Sequence, residues 1–501
     1  MKIAIYLLVF FSLFSHQFHP QEISATLLEE GTEKPVAFAT IQFQENRGVV
    51  SNEEGFFKIP ASADISEINI SSIGYESKSL SLEQIKPVIY LKSATIALSG
   101  VFISDKNLEA EEVVERAIAA VPQNYDFEFR KKRFFLRRSY VDRVNEFKLD
   151  VEESTVEGLD QAFMDKIASQ IPKYVDSYRE YLGDLYGNYE NQKVQLLKAA
   201  NLENPLNEES VEDMVDRFEK ILNENVTDGT FLKIKSGIFG AKVDSEELKE
   251  GFEESKISRN PETPEEIKEQ EKKRLENARN SANRSIERLM ENMFWQEDIT
   301  LDVFEKTRKY EFTTEGFINI NNSIAYVVAF EPKRGADFKG KIYIDTEDFG
   351  IHRLDYENIK NLKSFSLLGI STQDHLYSGK MIFSKGENSK YAPRFIEHNS
   401  GSKAEVDRPL TLLVKEQKGF IFKRKLEEVD MEFKINTTNL VKTELVVYED
   451  MKFTENEFEK ISTGSDFDYK TFKEYDPEFW SGYNIIEPNA AIKEFTALET
   501  D

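Results

Sequence analysis

Apolar and polar side chains alternate with a period of two over both ends of the chain. Ile41 and Phe43 alternate with Gln42 and Gln44, and from about residue 297 the same pattern recurs almost without interruption. A period of two predicts half-buried β-strands, whereas the middle of the chain has apolar residues at helical spacing. The predicted fold class is therefore α+β multidomain: an N-terminal β-sandwich, then an antiparallel β-sheet domain with a large helical insertion.

Residues 21–93 read as short strands separated by turns. Asn52 to Gly55 predicts a hairpin turn, with Gly55 suited to positive φ, and Phe56, Phe57 and Ile59 begin the return strand. Several short strands at this spacing indicate a small sandwich.

Three segments of this region, 33–40 (EKPVAFAT), 50–57 (VSNEEGFF) and 70–75 (ISSIGY), resemble the carboxypeptidase regulatory-like domain. That domain is common at the front of exported Bacteroidota proteins, including TonB-dependent receptors. The resemblance implies a seven-stranded prealbumin-like sandwich over 21–93 and no catalytic activity. Gly74 and Tyr75 are interpreted as structural residues.

The region after the sandwich is predicted as a linker and helix over 94–125 and an α+β domain over 126–460. Val113, Val114, Ala117, Ile118 and Val121 lie at helical spacing, with Asn107 as a cap and Pro122 as the end. A helical insertion is predicted at about 158–293, where Tyr174, Tyr178 and Tyr181 continue one apolar stripe.

The last helix of this insertion is predicted over 264–293. Its narrow apolar seam comprises Leu275, Ala278, Ala282, Ile286, Leu289 and Met293. One interpretation is a solvated helix packed by one edge on its own domain, and the other is a coiled coil that binds a partner.

The stretch from Tyr326 to Tyr356 resembles the meander of the outer-membrane lipoprotein carrier family. That resemblance implies a curved antiparallel sheet that cradles an apolar ligand, with helices over its concave face. Residues 461–501, which include Pro477, Phe479 and Trp480, are predicted to be an irregular aromatic tail.

Residues 1–20 are predicted to be a secretory signal peptide, because Lys2 precedes an apolar run from Ile3 to Phe14 that is too short to span a bilayer. We therefore expect export to the periplasm or an outer-membrane association in the cell envelope. The absence of cysteine excludes disulfides, thiolate metal sites and thiol nucleophiles. A net charge of −26 argues against nucleic acid as a partner, because an acidic surface repels the phosphate backbone.

Residues 130–138 form the one basic cluster, with Arg130, Lys131, Lys132, Arg133, Arg137 and Arg138. It is interpreted either as a strand whose charges pair with neighbouring carboxylates or as a site for anions and head groups.

No catalytic, cofactor-binding or metal-binding residue is predicted. The five histidines include no zinc-peptidase pair, and His352 with Asp355 lacks a third ligand. Asp466 and Asp468 are too few for a calcium loop.

Three functions remain open from the sequence. The first is a non-enzymatic envelope protein, a binding or presentation module for an apolar or envelope-derived ligand or for a membrane-protein partner. The second is a hydrolase of envelope polymers with two carboxylates in one cleft. The third is a scaffold that associates through the helix at 264–293, with Leu275 and Ile286 in the contact.

Overall fold

A computed structural model describes residues 23–44, 47–59, 65–96, 108–203, 208–250, 263–320, 323–386, 388–418, 422–464 and 466–495. The predicted signal peptide and Asn107 lie outside the described residues. The chain divides into two compact units, and strands dominate over helices. The small unit contains the described residues up to 96 together with Phe317–Ile324 and Asp476–Lys493; the large unit contains the rest.

The small unit contains two sheets, a three-stranded sheet in the order β4-β1-β7 and a four-stranded sheet in the order β3-β2-β5-β6. In the three-stranded sheet β1 pairs antiparallel with β4 and parallel with β7. The strands are β1 (Ile23–Glu29), β2 (Thr40–Gln44), β3 (Arg47–Val50), β4 (Phe56–Ile59), β5 (Glu67–Ser71), β6 (Lys78–Ser81), β7 (Val88–Leu91) and β8 (Thr95–Ile96).

The two sheets share one apolar core, as a sandwich requires. Leu27 and Phe57 from the first sheet and Ile41 and Ile70 from the second are buried in the same cluster. The predicted turn before β4 is present: the Gly55 N–H donates to the Asn52 carbonyl at 3.0 Å. Gly55 has φ +76, and a β-carbon there would lie 2.4 Å from the Leu27 carbonyl oxygen, so this position requires glycine.

The large unit is built on one long sheet, ordered β22-β11-β10-β9-β21-β20-β19-β17-β16-β15-β14, with β12 attached to β20 and β18 to β19. Its strands are β9 (Arg130–Ser154), β10 (Tyr174–Gly187), β11 (Gln192–Glu203), β12 (Thr230–Ser236), β13 (Phe239–Asp244), β14 (Tyr310–Ile320), β15 (Ser323–Pro332), β16 (Phe338–Asp345), β17 (Ile351–Asn358), β18 (Lys363–Leu367), β19 (Ile370–Lys385), β20 (Tyr391–Lys418), β21 (Phe422–Lys452) and β22 (Asp468–Phe472).

Fewer residues are helical than the sequence pattern predicts. They are α1 (Ala110–Asn124), α2 (Gln161–Gln170), α3 (Glu208–Asn225), α4 (Pro264–Glu291), α5 (Glu455–Glu459) and α6 (Ala490–Lys493).

The predicted helical insertion at about 158–293 needs correction, because four strands, β10 to β13, lie inside it. Tyr174, Tyr178 and Tyr181 are strand residues of β10, which pairs with β9 and β11. Residues from Glu180 to Gly187 are buried without alternation. A strand covered on both faces loses the period-two signal, and its apolar positions then fit helical spacing equally well.

Helix α4 begins as predicted, with Pro264 in its first turn and a capping box between Thr263 and Glu266. Its seam residues Ala278, Ala282, Ile286 and Leu289 are buried within the protein. The seam proposed for a partner helix is therefore already occupied, as the solvated-helix interpretation predicts.

Two further boundaries differ from the predictions. Helix α1 continues past Pro122 to Asn124, because a proline in the last turn removes only one hydrogen bond. The region 461–501 is not wholly irregular: β22 pairs in parallel with β11, and a short 3₁₀ turn (Pro477–Trp480) and α6 follow. The sequence around β22 could not predict this pairing, because its partner strand β11 lies far away in the chain.

Candidate functional site

An apolar slot opens in the large unit between helix α1 and the segment that follows helix α4. Ile118, Val121 and Pro122 line it from α1, and Phe294, Trp295 and Phe304 line it from the second segment. Its volume is about 270 Å³. Concave sites lined by apolar and aromatic side chains are where small ligands bind in most proteins.

The wall from α1 follows from the amphipathic pattern of that helix. Val113, Val114, Ala117 and Val121 are buried and fix the helix on the domain, whereas Ile118 is only half-buried. Pro122 has no N–H group, so the Ile118 carbonyl lacks its usual helical donor. The half-buried Ile118 side chain and the Ile118 carbonyl that lacks a helical donor therefore lie in the same turn of α1, at the slot.

The opposite wall is held by a cluster of aromatic rings. Met293 and Phe294 are buried, while Trp295 is half-buried. The Trp295 ring centroid lies 4.8 Å from that of Phe294, 4.9 Å from Tyr125 and 5.0 Å from Tyr189. Tilted and edge-on contacts at these distances are favourable and fix the indole orientation.

Two tyrosines make the cluster rigid. The Tyr125 hydroxyl donates to the Ile351 carbonyl at 3.1 Å and accepts from the Ile351 N–H at 2.9 Å, and burial raises its pKa well above the ordinary value. Burial also raises the pKa of Tyr189, whose hydroxyl has no hydrogen-bond partner among the described residues. The Tyr125 hydroxyl thus fixes its ring to β17, whereas Tyr189 contacts Trp295 through its ring.

The polar lining of the slot carries negative charge only. Gln296, Glu297 and Glu305 complete the lining, and both carboxylates are exposed. This distribution favours a ligand with a neutral or cationic polar end over one with a carboxylate or phosphate.

Most of the basic cluster of β9 forms ion pairs with carboxylates on neighbouring strands. Arg133 and Lys131 contact Asp184 at 2.6 and 3.2 Å, and Arg130 contacts Asp450 at 2.7 Å. The fully buried Arg137 contacts Glu180 at 2.6 Å. Burial lowers the pKa of Lys132 and of Arg138. Four of the six basic side chains are therefore paired with carboxylates, as the first of the two interpretations expects, whereas Lys132 and Arg138 have no carboxylate partner among the described residues.

His352 is separated from the residue that the sequence pairs with it. Its Nε2 lies 3.0 Å from Asp345 Oδ2, whereas Asp355 is bound by Arg353. Burial by itself raises the Asp345 pKa, but hydrogen bonds from His352 and from the Glu347 and Asp348 N–H groups outweigh it and lower the pKa to about 2. The carboxylate thereby fixes the turn between β16 and β17.

No group of three or more histidine and acidic side chains in the described part of the chain is placed to hold a metal ion. Asp468, one of the two residues considered for a calcium loop, forms an ion pair with Lys198, with 3.1 Å between Oδ2 and Nζ. The absence of catalytic and cofactor-binding residues remains a prediction.

The slot was not foreseen from the sequence. Its two walls are far apart in the chain, and helix α1 alone shows only an ordinary buried face. The signal that was available is the Met293-Phe294-Trp295 run, which places three large apolar residues directly after a polar helix.

Residues 23–103 match the model of the CarboxypepD_reg-like domain family, so the chain contains a carboxypeptidase regulatory-like domain at its N-terminal side. No curated protein matches the chain significantly. In the residues described, no helix combines the length and apolar character that crossing a bilayer requires.

Among solved structures, a Pseudomonas aeruginosa MucA/MucB complex is similar at 8% identity and a TM-score of 0.18, over 67% of this chain and 93% of that chain. A protein of unknown function from Bacteroides fragilis, described as membrane-associated, is similar at 7% identity and a TM-score of 0.11, over 86% and 98% of the two chains. TM-scores this low carry no argument about fold or function.

Proposed function

We propose that this chain is a non-catalytic binding protein of the cell envelope, which takes an apolar group into the slot between α1 and the segment after α4. The observation that carries the proposal is the half-buried Trp295, held by a rigid aromatic cluster at the wall of an apolar cavity. Export rests on the signal-peptide pattern of residues 1–20. The CarboxypepD_reg-like domain is an accessory module in this proposal.

The chemistry of the slot indicates the class of ligand. Apolar area removed from water supplies the favourable free energy, at about 25 cal/mol per Å². The two lining carboxylates favour a polar end that is cationic or neutral. An acyl chain or an apolar peptide side chain with a neighbouring amine fits this description.

Calorimetric titration with three chains that differ only in their polar end tests the proposal. We expect decylamine and decanol to bind, and decanoate to bind more weakly, because Glu297 and Glu305 repel its carboxylate. Ile118→Glu places a charged group at the apolar wall of the slot and is expected to weaken the binding of decanol at least tenfold.

The matched control is Ala119→Glu, at the exposed neighbouring position of the same helix. It adds the same charge outside the slot and should leave all three titrations unchanged. Equal affinities of wild type and Ile118→Glu for decanol, in folded proteins, would contradict the proposal.

A hydrolase is the second candidate, because Glu297 and Glu305 line one cavity. Glycosidases use two carboxylates across the scissile bond, but their general acid is normally a carboxyl protected from water. Both glutamates are exposed here, so we favour binding. Turnover of chromogenic glycosides that is lost in both Glu297→Gln and Glu305→Gln would establish the hydrolase instead.

A further inference from the structure

Two short hairpins of the large unit meet at a single arginine. The β12–β13 hairpin turns through Gly237 and Ile238, and the β18–β19 hairpin turns through Leu368 and Gly369. Arg408, on β20 between them, donates from Nη2 to the Ser236 carbonyl and from Nη1 to the Leu368 carbonyl, each at 2.6 Å. One guanidinium therefore fixes the two turns side by side.

The joined turns present large apolar side chains to solvent. Ile238 is 83% exposed, and Phe239, Leu367, Leu368 and Phe365 are each more than half exposed. These five residues are called the apolar hairpin patch below. Clustered exposed apolar side chains of this size mark interaction sites on soluble surfaces, whereas single ones are ordinary.

The backbone at Leu368 argues against a merely structural role for this side chain. Leu368 has φ +50 and is followed by Gly369 at φ +75. Two-residue turns with both φ values positive strongly prefer Asn-Gly or Asp-Gly. A leucine there strains the backbone and places an apolar group in water, so the fold itself gains nothing from it.

The charge of the two hairpins themselves is opposite to that of the whole chain. Segments 232–242 and 359–373 contain five lysines and no acidic residue, within a chain of net charge −26. Lys242 and Lys360 are paired with Asp244 and Asp337. Lys233, Lys235 and Lys363 have no ion-pair partner among the described residues.

We propose that the apolar hairpin patch docks on a membrane surface that contains anionic phospholipids. Exposed aliphatic and aromatic side chains enter the head-group boundary, and the flanking lysines bind lipid phosphates. The patch is two turns and not a groove, which suits a surface without fixed shape better than a structured protein partner. The acidic remainder of the chain is repelled by the same surface, so only this orientation is favourable.

Flotation with vesicles of phosphatidylcholine, with and without phosphatidylglycerol, tests the inference on the full chain. We expect binding only with phosphatidylglycerol and its loss at high ionic strength. The double variant Ile238→Ser with Leu368→Asn, and the double variant Lys235→Glu with Lys363→Glu, should each reduce partitioning roughly tenfold or more. Ile267→Gln, a half-exposed position on α4, is the matched control and should bind as wild type.

Ile238→Trp gives a direct readout of location. Its tryptophan emission should shift to the blue on phosphatidylglycerol vesicles and stay unchanged on phosphatidylcholine alone. Absence of vesicle binding by the wild type, or binding that both double variants leave intact, would overturn the inference. The slot variant Ile118→Glu should not alter vesicle binding, so failure here and failure of the proposed function are distinguishable.

Discussion

At the scale of single residues, the large unit contains an ion pair that is buried between two neighbouring strands. Arg137 and Glu180 are 2% and 0% exposed and face each other on β9 and β10. A buried pair adds little over an apolar pair, but removing one partner leaves an uncompensated charge in the interior.

Glu180→Gln should therefore lower the free energy of unfolding by about 3 kcal/mol, measured by urea denaturation. Glu112→Gln breaks the exposed pair with Arg116 and should cost less than about 0.5 kcal/mol. A loss below about 1 kcal/mol for Glu180→Gln would show that Arg137 is compensated by other carboxylates.

His398 gives the stability a pH dependence. Burial lowers its pKa from 6.5 to about 4, so folding opposes its protonation. Stability present above pH 6.5 is lost as the pH falls toward 4, because the unfolded chain binds the proton first.

His398→Gln should reduce the difference between the melting temperatures at neutral pH and near pH 4.5. The same difference in variant and wild type would mean that His398 titrates as in the unfolded chain.

At the scale of elements, the turn at Leu368 makes a prediction that does not depend on lipid. Leu368→Asn should raise the free energy of unfolding by roughly 0.5–1 kcal/mol, since asparagine tolerates positive φ better than leucine. Leu367→Asn, at an adjoining β-strand position, should give no such gain in urea denaturation. Destabilisation by Leu368→Asn would contradict the strain on which the membrane inference draws.

The sequence pattern predicted a strand correctly where one face of the strand is buried and the other faces solvent. Ile41 and Phe43 alternate with polar neighbours, and the strand was predicted where it lies. On β10, Glu180 is as buried as Tyr181, so the pattern carried no period of two and predicted a helix. The strand was misread because the residues that bury its second face come from distant segments.

At the scale of the molecule, the C-terminal region completes the small unit. The Asn52 side chain accepts from the Glu54 and Phe56 N–H groups and donates to the Pro488 carbonyl at 3.2 Å. The Glu54 carboxylate accepts from the Ala490 N–H at 2.9 Å. The sequence predicted only an irregular aromatic tail over 461–501. These contacts could not be inferred from it, because they join residues that are more than 400 positions apart in the chain.

Asn52→Ala should cost about 2 kcal/mol, because it leaves backbone groups without partners. It should also lower hydrogen-exchange protection at residues 485–493. Asn69→Ala, which removes an exposed contact with Ser79, is the control and should leave that protection unchanged. Unchanged protection in Asn52→Ala would mean that the C-terminal region is held by its apolar residues alone.

The slot is likewise a property of the whole unit, because neither α1 nor the segment after α4 forms a cavity alone. Its ligand is tested most directly by photo-crosslinking with a diazirine derivative of decylamine, followed by mass spectrometric mapping. Our account predicts labelling in peptides from 110–124 and 292–306, with competition by unlabelled decylamine. Labelling spread over other surfaces, or unaffected by competition, would contradict it.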